Sequence, residues 1–460
     1  MTSALLRPRS SRLHLLIVSA VVALVPWYVI PGQTVTDTKI DLVVDPWSYL
    51  GRSLSAWDPE AFFGQLQNQA YGYLFPMGPF FGVTRSLGIP EWACQRMWWS
   101  LLLVVGFVGA YLLVRRWGIA GHRVALLAAV VYALSPRVLT VLGSISAEAW
   151  PAALVPWLLL GADRLLRAGS RAERRRAAAC LGLLVVAIGG VNATATIAAL
   201  AVPTIYLVAA GRGGVRAVAW WAGAVIVATA WWTVPLVVLG RYAYPFLDFI
   251  ESSATTTRFM SIPNILRGTS HWIAYVPFGS SGEWPAGALL ATSGWLILAT
   301  TAVAVLGLVG LMLRPSPQHH DAARQGHVHR FAVLSTLVGV TIMGIGFGHQ
   351  LDVPFVSPVS GGVDSLLDGS LAAFRNLHKF DPLIRLPLCL GLAALVSRVD
   401  TGRIGRRIAP GAPSPATVGR VVVLLPLLLV VALVVSPAAR TDLAPRGGFD
   451  QIPTRWKDAS

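Results

Sequence analysis

Charge is scarce in this sequence. Aspartate, glutamate, lysine and arginine make up 13% of its 460 residues, about half the share of an ordinary soluble domain. Lysine is nearly absent: Lys39, Lys379 and Lys457 stand against 34 arginines. Cysteine is as sparse, and Cys94, Cys180 and Cys389 are isolated from one another. That excludes a disulfide framework and a CxxC metal site. No P-loop, dinucleotide fingerprint or internal repeat is visible, so the sequence carries no signature of nucleotide-driven chemistry. The net charge of +16 invites a nucleic-acid reading. Its arginines, however, gather in short loops between apolar runs, the pattern of a topology signal, and no nucleic-acid partner is expected.

What the sequence has in abundance is apolar length, with 55% hydrophobic residues. A membrane helix needs about 20 mostly apolar residues. That ruler places spans near 13–30, 98–114, 124–142, 148–166, 177–191, 193–210, 217–239, 287–313, 331–347, 383–398 and 421–437. Gly189, Gly190 and Asn192 interrupt the fifth and sixth, which could form one broken helix. The first follows Arg7, Arg9 and Arg12, and no small-residue cleavage site precedes Pro31, so it reads as a signal anchor. The chain is thus expected to be an all-α polytopic membrane protein of about eleven spans, embedded in lipid. The N-terminus and the loops at 115–123, 164–176, 212–216, 314–330 and 398–420 hold 22 of the 37 Lys and Arg residues. That side is expected to be cytoplasmic. Three long loops then face outwards, at about 31–97, 240–286 and 348–382.

The outer loops mix acids, amides and aromatics, whereas the spans contain almost no ionisable group; Arg137 is the main exception. In the first loop Asp37, Lys39, Asp41 and Asp45 fall close together. A carboxylate there can take the proton of a sugar hydroxyl if it reaches it. Asp45 precedes Pro46 and Asp58 precedes Pro59, the helix-start pairing. Trp47, Leu50, Leu54 and Trp57 follow at the spacing of an interfacial helix. Asp41, beside an apolar Leu-Val-Val stretch, is the leading base candidate, with Asp37 and Asp45 behind it. Gln65, Gln67, Asn68, Gln69, Tyr71 and Tyr73 suit a polyhydroxylated ligand, because amides match hydroxyls and flat rings match C–H faces. In the second loop Asp248 and Glu251 are spaced to share a helix face, and Glu251 is the second base candidate. Arg258, Arg267 and His271 offer positive or titratable groups there. The third loop concentrates Arg375, His378, Lys379 and Arg385 where positive charge is disfavoured. With Lys39 and Arg258, these suit a lipid-linked phosphate. Asp381–Pro382 again reads as a helix cap. His319, His320, His327 and His329 lie in a basic loop and read as solvated residues. No spacing demands a metal, no cofactor is assigned, and assistance by a divalent cation is left open.

Three stretches carry a resemblance: TDTKIDLVVDP, WDPEAFFGQLQNQAYGYLFPMGPFF and FRNLHKFDPLIRLPL. They resemble the N-terminal membrane half of the alpha-(1→3)-arabinofuranosyltransferases of the actinobacterial cell envelope. The resemblance covers essentially the whole chain. It implies a GT-C glycosyltransferase fold with an outward-facing active site and an outer-loop acid near the first span as base, a placement that Asp41 and Asp45 match. It also implies a decaprenyl-phosphoryl arabinofuranose donor and an arabinan acceptor, from arabinogalactan or lipoarabinomannan. A β-linked donor giving an α-linked product means inversion, so one base suffices. Members of that family are much longer. Residues 1–440 are therefore expected to form the membrane domain, and 441–460 the start of an extracytoplasmic portion that is cut short. Two other classes compete: a lipid-linked sugar transporter, which calls for midplane polar sites, and a non-catalytic scaffold, which would tolerate loss of outer-loop carboxylates.

Overall fold

The structure is a computed structural model that describes residues 9–37, 39–59, 64–66, 70–278, 281–282, 284–313, 322–348, 351, 356–409, 414–440, 443–444 and 447–450. The long helices, in chain order, are α1 (Arg9–Leu24), α2 (Glu91–Arg116), α3 (His122–Ala133), α4 (Pro136–Val141), α5 (Ser146–Leu166), α6 (Arg171–Ile188), α7 (Ala193–Val208), α8 (Arg212–Leu239), α9 (Gly294–Met312), α10 (Ala322–Gly344), α11 (Pro382–Arg398) and α12 (Pro415–Val435). Among the described residues two β-hairpins occur, with strands of only two residues each.

Every expected span falls on helix, but several boundaries change. Among the described residues seven segments are long and apolar enough to cross a membrane, including Glu91–Arg116, Arg212–Leu239 and Gly294–Met312; Ala193–Val208 is apolar but shorter. Helices α5, α6 and α10 carry charged residues towards their ends, among them Glu148 and Asp163, Arg171 to Arg176, and Arg324 and Arg330, and are not among these seven. The expected span at 124–142 divides at Ser135, where Pro136 opens α4; proline lacks the N–H that would continue the ladder. The expected span at 287–313 divides at Ser293, between Pro285–Thr292 and α9. The fifth and sixth are two helices. Asn192 caps α7 by accepting from Ala195 N–H at 3.0 Å, which satisfies one of the donors a helix start leaves open.

The first long loop also departs from expectation. Asp45 caps the helix Pro46–Ser53, accepting from Ser48 N–H at 3.2 Å. That helix stops at Ser53, and Trp57 and Asp58 form a strand paired with Gln65 and Leu66. The interfacial helix through Trp57 is therefore replaced by a strand, and residues 60–63, on which the cap expected at Asp58 depends, lie outside the described residues. Asp381 does not cap α11 either; its carboxylate faces Arg385 one turn on.

Helix α11 is the axis of the bundle, buried from Pro382 to Ala393 and packed on α3, α9 and α10. Helices α2, α5 and α7 form the neighbouring layer. Large apolar side chains point outwards on α1, α8 and α12, for example Leu16, Val227 and Leu429, as expected where lipid is the solvent. Inside, packing depends on small residues. A Cβ on Gly310 would overlap the Gly391 carbonyl, and one on Gly391 would overlap that of Gly307. The α9 and α11 backbones thus touch, as small residues permit in membrane bundles. Polar ties add direction. The buried Asp163 of α5 accepts from Tyr206 of α7 at 2.8 Å and from Arg324 of α10 at 2.8 Å.

Because the two backbones meet at Gly391, a Gly391→Val variant should lose about 1–3 kcal/mol of stability, the usual cost of overpacking. Gly223→Val on α8, where a Cβ meets nothing within 4 Å, is the control and should melt like the wild type. Thermal unfolding in detergent reads both; equal midpoints for the two variants would show that α9 and α11 are not in contact there.

Candidate active site

Two loops, carrying His271 and His378–Lys379, and the beginnings of α4 and α5 converge on one buried carboxylate, Glu148. It sits in the first turn of α5, where the unpaired N–H groups of a helix start favour negative charge. The start of α5 is itself completed from outside. Asp37 of the first loop accepts the Ser146 backbone N–H at 2.8 Å and the Trp99 indole N–H at 2.7 Å. This loop is further held by Gln95, which exchanges two hydrogen bonds with Val35 at 3.0 and 2.7 Å. Asp37 is buried, and its carboxylate is directed at these donors.

Around Glu148 stand Arg137, two histidines and a lysine. Arg137 on α4 donates to Glu148 Oε1. His378 Nε2 lies 3.2 Å and His271 Nε2 3.6 Å from the same oxygen, and Lys379 Nζ is 3.8 Å from Oε2. The two imidazoles stack, with centroids 3.8 Å apart. Burial holds the His271 imidazolium far below its usual range, and the neighbouring His378, Arg137 and Lys379 reinforce that. Its Nδ1 accepts from Ile273 N–H at 3.3 Å, so the neutral ring carries its proton on Nε2, facing Glu148.

Glu148, His271 and His378 have the donor types and closeness of a metal triad. The surroundings do not fit a cation. Arg137, a permanent cation, occupies the carboxylate oxygen that both histidines approach, and Lys379 faces the other. A divalent ion would sit against two positive charges in a low-dielectric interior.

The second carboxylate of the region is half-buried Glu251. Its Oε1 accepts from the Asn376 amide, whose own carbonyl accepts from Trp272 Nε1 at 3.2 Å. The backbone around Glu251 is clamped by Arg375, which donates to the carbonyls of Glu251, Leu247 at 3.0 Å and Leu367 at 3.3 Å. Asp368 adds a second tie, accepting from Ser253 N–H at 2.8 Å and Ser253 Oγ at 2.6 Å. Beside this knot lies a cavity of about 540 Å³. Ser252, Thr255, Arg258, Trp272, Tyr275 and Asp364 contribute to its lining, the mixture of rings, hydroxyls and charge that a sugar phosphate requires.

The candidates named from sequence are thus distributed unequally. Lys379 and His378 face Glu148, Arg258 lines the cavity, and Glu251 adjoins it through Ser252. Arg385 is directed inwards: NH2 reaches Asp381 Oδ1 at 2.8 Å and the Ile265 carbonyl at 3.0 Å, and NH1 reaches the Leu266 carbonyl at 2.8 Å. Gly268, at φ +80°, lets the loop pass that guanidinium, where a Cβ would meet NH2 at 2.7 Å. Asp41 is exposed on the short helix Ile40–Val44, and Lys39 is exposed just before it. Gln65 is half-buried in its strand, and Tyr71 and Tyr73 are buried, Tyr73 edge-on to Tyr49 at 5.8 Å. Gln67, Asn68 and Gln69 lie outside the described residues. Sequence reasoning missed Glu148, which fell inside an expected span, and gave His271 only a minor place. The available signal was a pair of opposite charges, Arg137 and Glu148, at the facing ends of two apolar runs; ionisable groups inside membranes are seldom incidental.

Glu148 is the carboxylate that faces both Arg137 and Lys379. Glu148→Gln should therefore cost about 3–5 kcal/mol, the price of leaving buried charge uncompensated. Removing Arg137 as well, in Glu148→Gln/Arg137→Gln, should restore part of it. A single variant that melts at the wild-type temperature would mean that this carboxylate does not hold the group together.

Comparison with known proteins places this geometry. Residues 21–460 match the family model described as alpha-(1->3)-arabinofuranosyltransferase, N-terminal GT-C domain. The chain is 42% identical over 434 residues to an alpha-(1->3)-arabinofuranosyltransferase of Mycolicibacterium smegmatis, covering 94% of this chain and 29% of that protein. It is 40% identical over 463 residues to the protein of the same name from Mycobacterium tuberculosis, covering 98% of this chain and 31% of that one. The chain therefore spans under a third of the length of these relatives. A cryo-EM structure of arabinofuranosyltransferase AftD from Mycobacteria superposes with a TM-score of 0.71 at 35% identity, over 97% of this chain and 28% of that one. The chain belongs to the family of the N-terminal GT-C domain of the alpha-(1->3)-arabinofuranosyltransferases.

Proposed function

We propose that this domain carries the transfer site of an inverting alpha-(1→3)-arabinofuranosyltransferase. In this reading it uses a decaprenyl-phosphate arabinofuranose donor and a cell-wall arabinan acceptor, at the outer face of the membrane. The observation that carries the proposal is the placement of Glu251. Its carboxylate is oriented by Asn376, and the next residue, Ser252, lines a polar, aromatic cavity together with a cationic side chain, Arg258. The acceptor hydroxyl attacks the anomeric carbon, and its proton passes to Glu251. The bond from that carbon to the phosphate oxygen breaks, and the phosphate departs with the electron pair on its lipid. A phosphate monoester is a stable anion and needs no proton to leave, so one general base is sufficient. Arg258 in the cavity supplies positive charge where the leaving group develops its own.

Glu251 is preferred as base over the first-loop acids on grounds of environment. Asp41 is exposed to solvent, Asp45 caps a helix, and Asp37 completes α5. A base works best where a partner fixes its direction and water is limited.

Glu251→Gln should lower arabinose transfer about 10²–10⁴-fold at saturating donor, the usual range for loss of a general base. Asp45→Asn, which keeps a capping oxygen, should stay near wild type. The assay belongs to the full-length protein, with donor binding checked in each variant. If Asp41→Asn abolishes turnover and Glu251→Gln does not, the base lies in the first loop. Full turnover in both would favour a scaffold.

The orientation has its own check. With Cys94, Cys180 and Cys389 replaced, a cysteine at exposed Gly362 should react with a membrane-impermeant reagent in intact cells, and one at exposed Ala323 should not. The reverse pattern would put the cavity on the cytoplasmic side.

A further inference from the structure

A second cavity lies at the other end of α11, about 25 Å along the helix from Lys379 at 1.5 Å per residue. Its volume is about 340 Å³. The floor is formed by Gly310 and Gly391, where α9 and α11 touch and no side chain fills the wedge between them. Leu311, Val328 and Leu390 make apolar walls, while His329 and the exposed Arg398 stand at the mouth. One polar group lies deep in the wall. Trp117 is 2% exposed, and its indole N–H has no hydrogen-bond partner among the described residues. The ring itself is held in place, stacked on Tyr206 at 5.3 Å.

These features select among ligand classes. A sugar or a nucleotide would leave the leucine and valine walls unmatched, and a plain hydrocarbon would leave the buried indole N–H without an acceptor, at a cost comparable to a lost hydrogen bond. An amphiphile with an acyl chain, ester oxygens and an anionic head satisfies walls, indole and mouth together. The position agrees, because the arginine-rich loops border this end of the bundle, and membrane leaflets rich in anionic lipid attract such loops. We propose that this cavity binds one anionic phospholipid, with its chain on Leu311, Val328 and Leu390, an ester oxygen at Trp117 and its phosphate at Arg398. The site is separate from the one assigned to sugar transfer and does not depend on that assignment.

Native mass spectrometry of the purified, delipidated full-length protein tests this, using phosphatidylglycerol and phosphatidylcholine of identical chains. The wild type should retain one phosphatidylglycerol in preference to phosphatidylcholine. Ala394→Trp, which fills the cavity, should abolish that retention. Arg398→Ala should weaken it about fivefold, the worth of one basic residue at an anionic surface. Trp117→Phe should weaken it roughly threefold, the worth of a neutral hydrogen bond. Soluble glycerol phosphate, which has the head without the chains, should not displace the lipid. A thermal melt of each variant checks the fold, and if Ala394→Trp fails it, the Arg398 and Trp117 variants carry the test. Equal retention of the two lipids, or retention unchanged in all three variants, would mean ordinary annular contact and overturn the proposal. So would displacement by glycerol phosphate, which would make this an exposed phosphate contact with no chain in the cavity.

Discussion

A charge buried away from water must be matched within the protein or not carried at all, and this structure is organised around one that is matched. Glu148 lies in the first turn of a bundle helix, and the groups that answer it come from α4 and from two loops distant in sequence. In a low-dielectric interior an unpaired carboxylate would cost several kcal/mol. Arg137, Lys379 and the two histidines can occupy only a small region around it, so the loops that carry them are pinned relative to α5. Glu251 is placed by the same knot, since Asn376, which orients it, precedes His378 by two residues.

This arrangement explains how the proposed transfer site can sit on loops and still be rigid. Loops are usually the mobile part of a fold. Here Arg375 and Asp368 stitch the second loop to the third through backbone groups, and Gln95 holds the first against α2. The result is a rigid wall beside a cavity, which is what positioning of a sugar donor and a hydroxyl requires. Membership of the GT-C family fits this division of labour, with helices for the lipid environment and stitched loops for the proposed chemistry.

Much of this was legible in the sequence, for reasons that differ from element to element. The helices were legible because a membrane helix must be continuously apolar, and the break at Asn192 was marked by residues with local backbone consequences, whereas the one at Pro136 was read through as a single span. The break at Ser293 was not, because an apolar run on both sides hides it. Glu251, Arg258, His378 and Lys379 stood out as charges in outer loops. Their arrangement did not, because no local pattern encodes contacts between positions 137, 148, 271 and 378. Arg385 shows the same gap from the other side: an arginine in a basic loop looks available for phosphate, yet its guanidinium is directed at Asp381 and two carbonyls. The two-stranded hairpin at Trp57 replaced an expected helix because aromatic spacing alone does not fix a period over so few residues.

The cap that Asp37 supplies to α5 has a consequence for how the molecule assembles. Helix α5 provides no side-chain cap of its own at Ile145, and the bond to Ser146 comes from a residue more than a hundred positions earlier. Closing so long a loop carries an entropic cost that local caps avoid. The first turn of α5, with Glu148 in it, is therefore finished only after the first outer loop has reached its place against α2. The charged centre at Glu148 is therefore complete only when segments far apart in the chain have met.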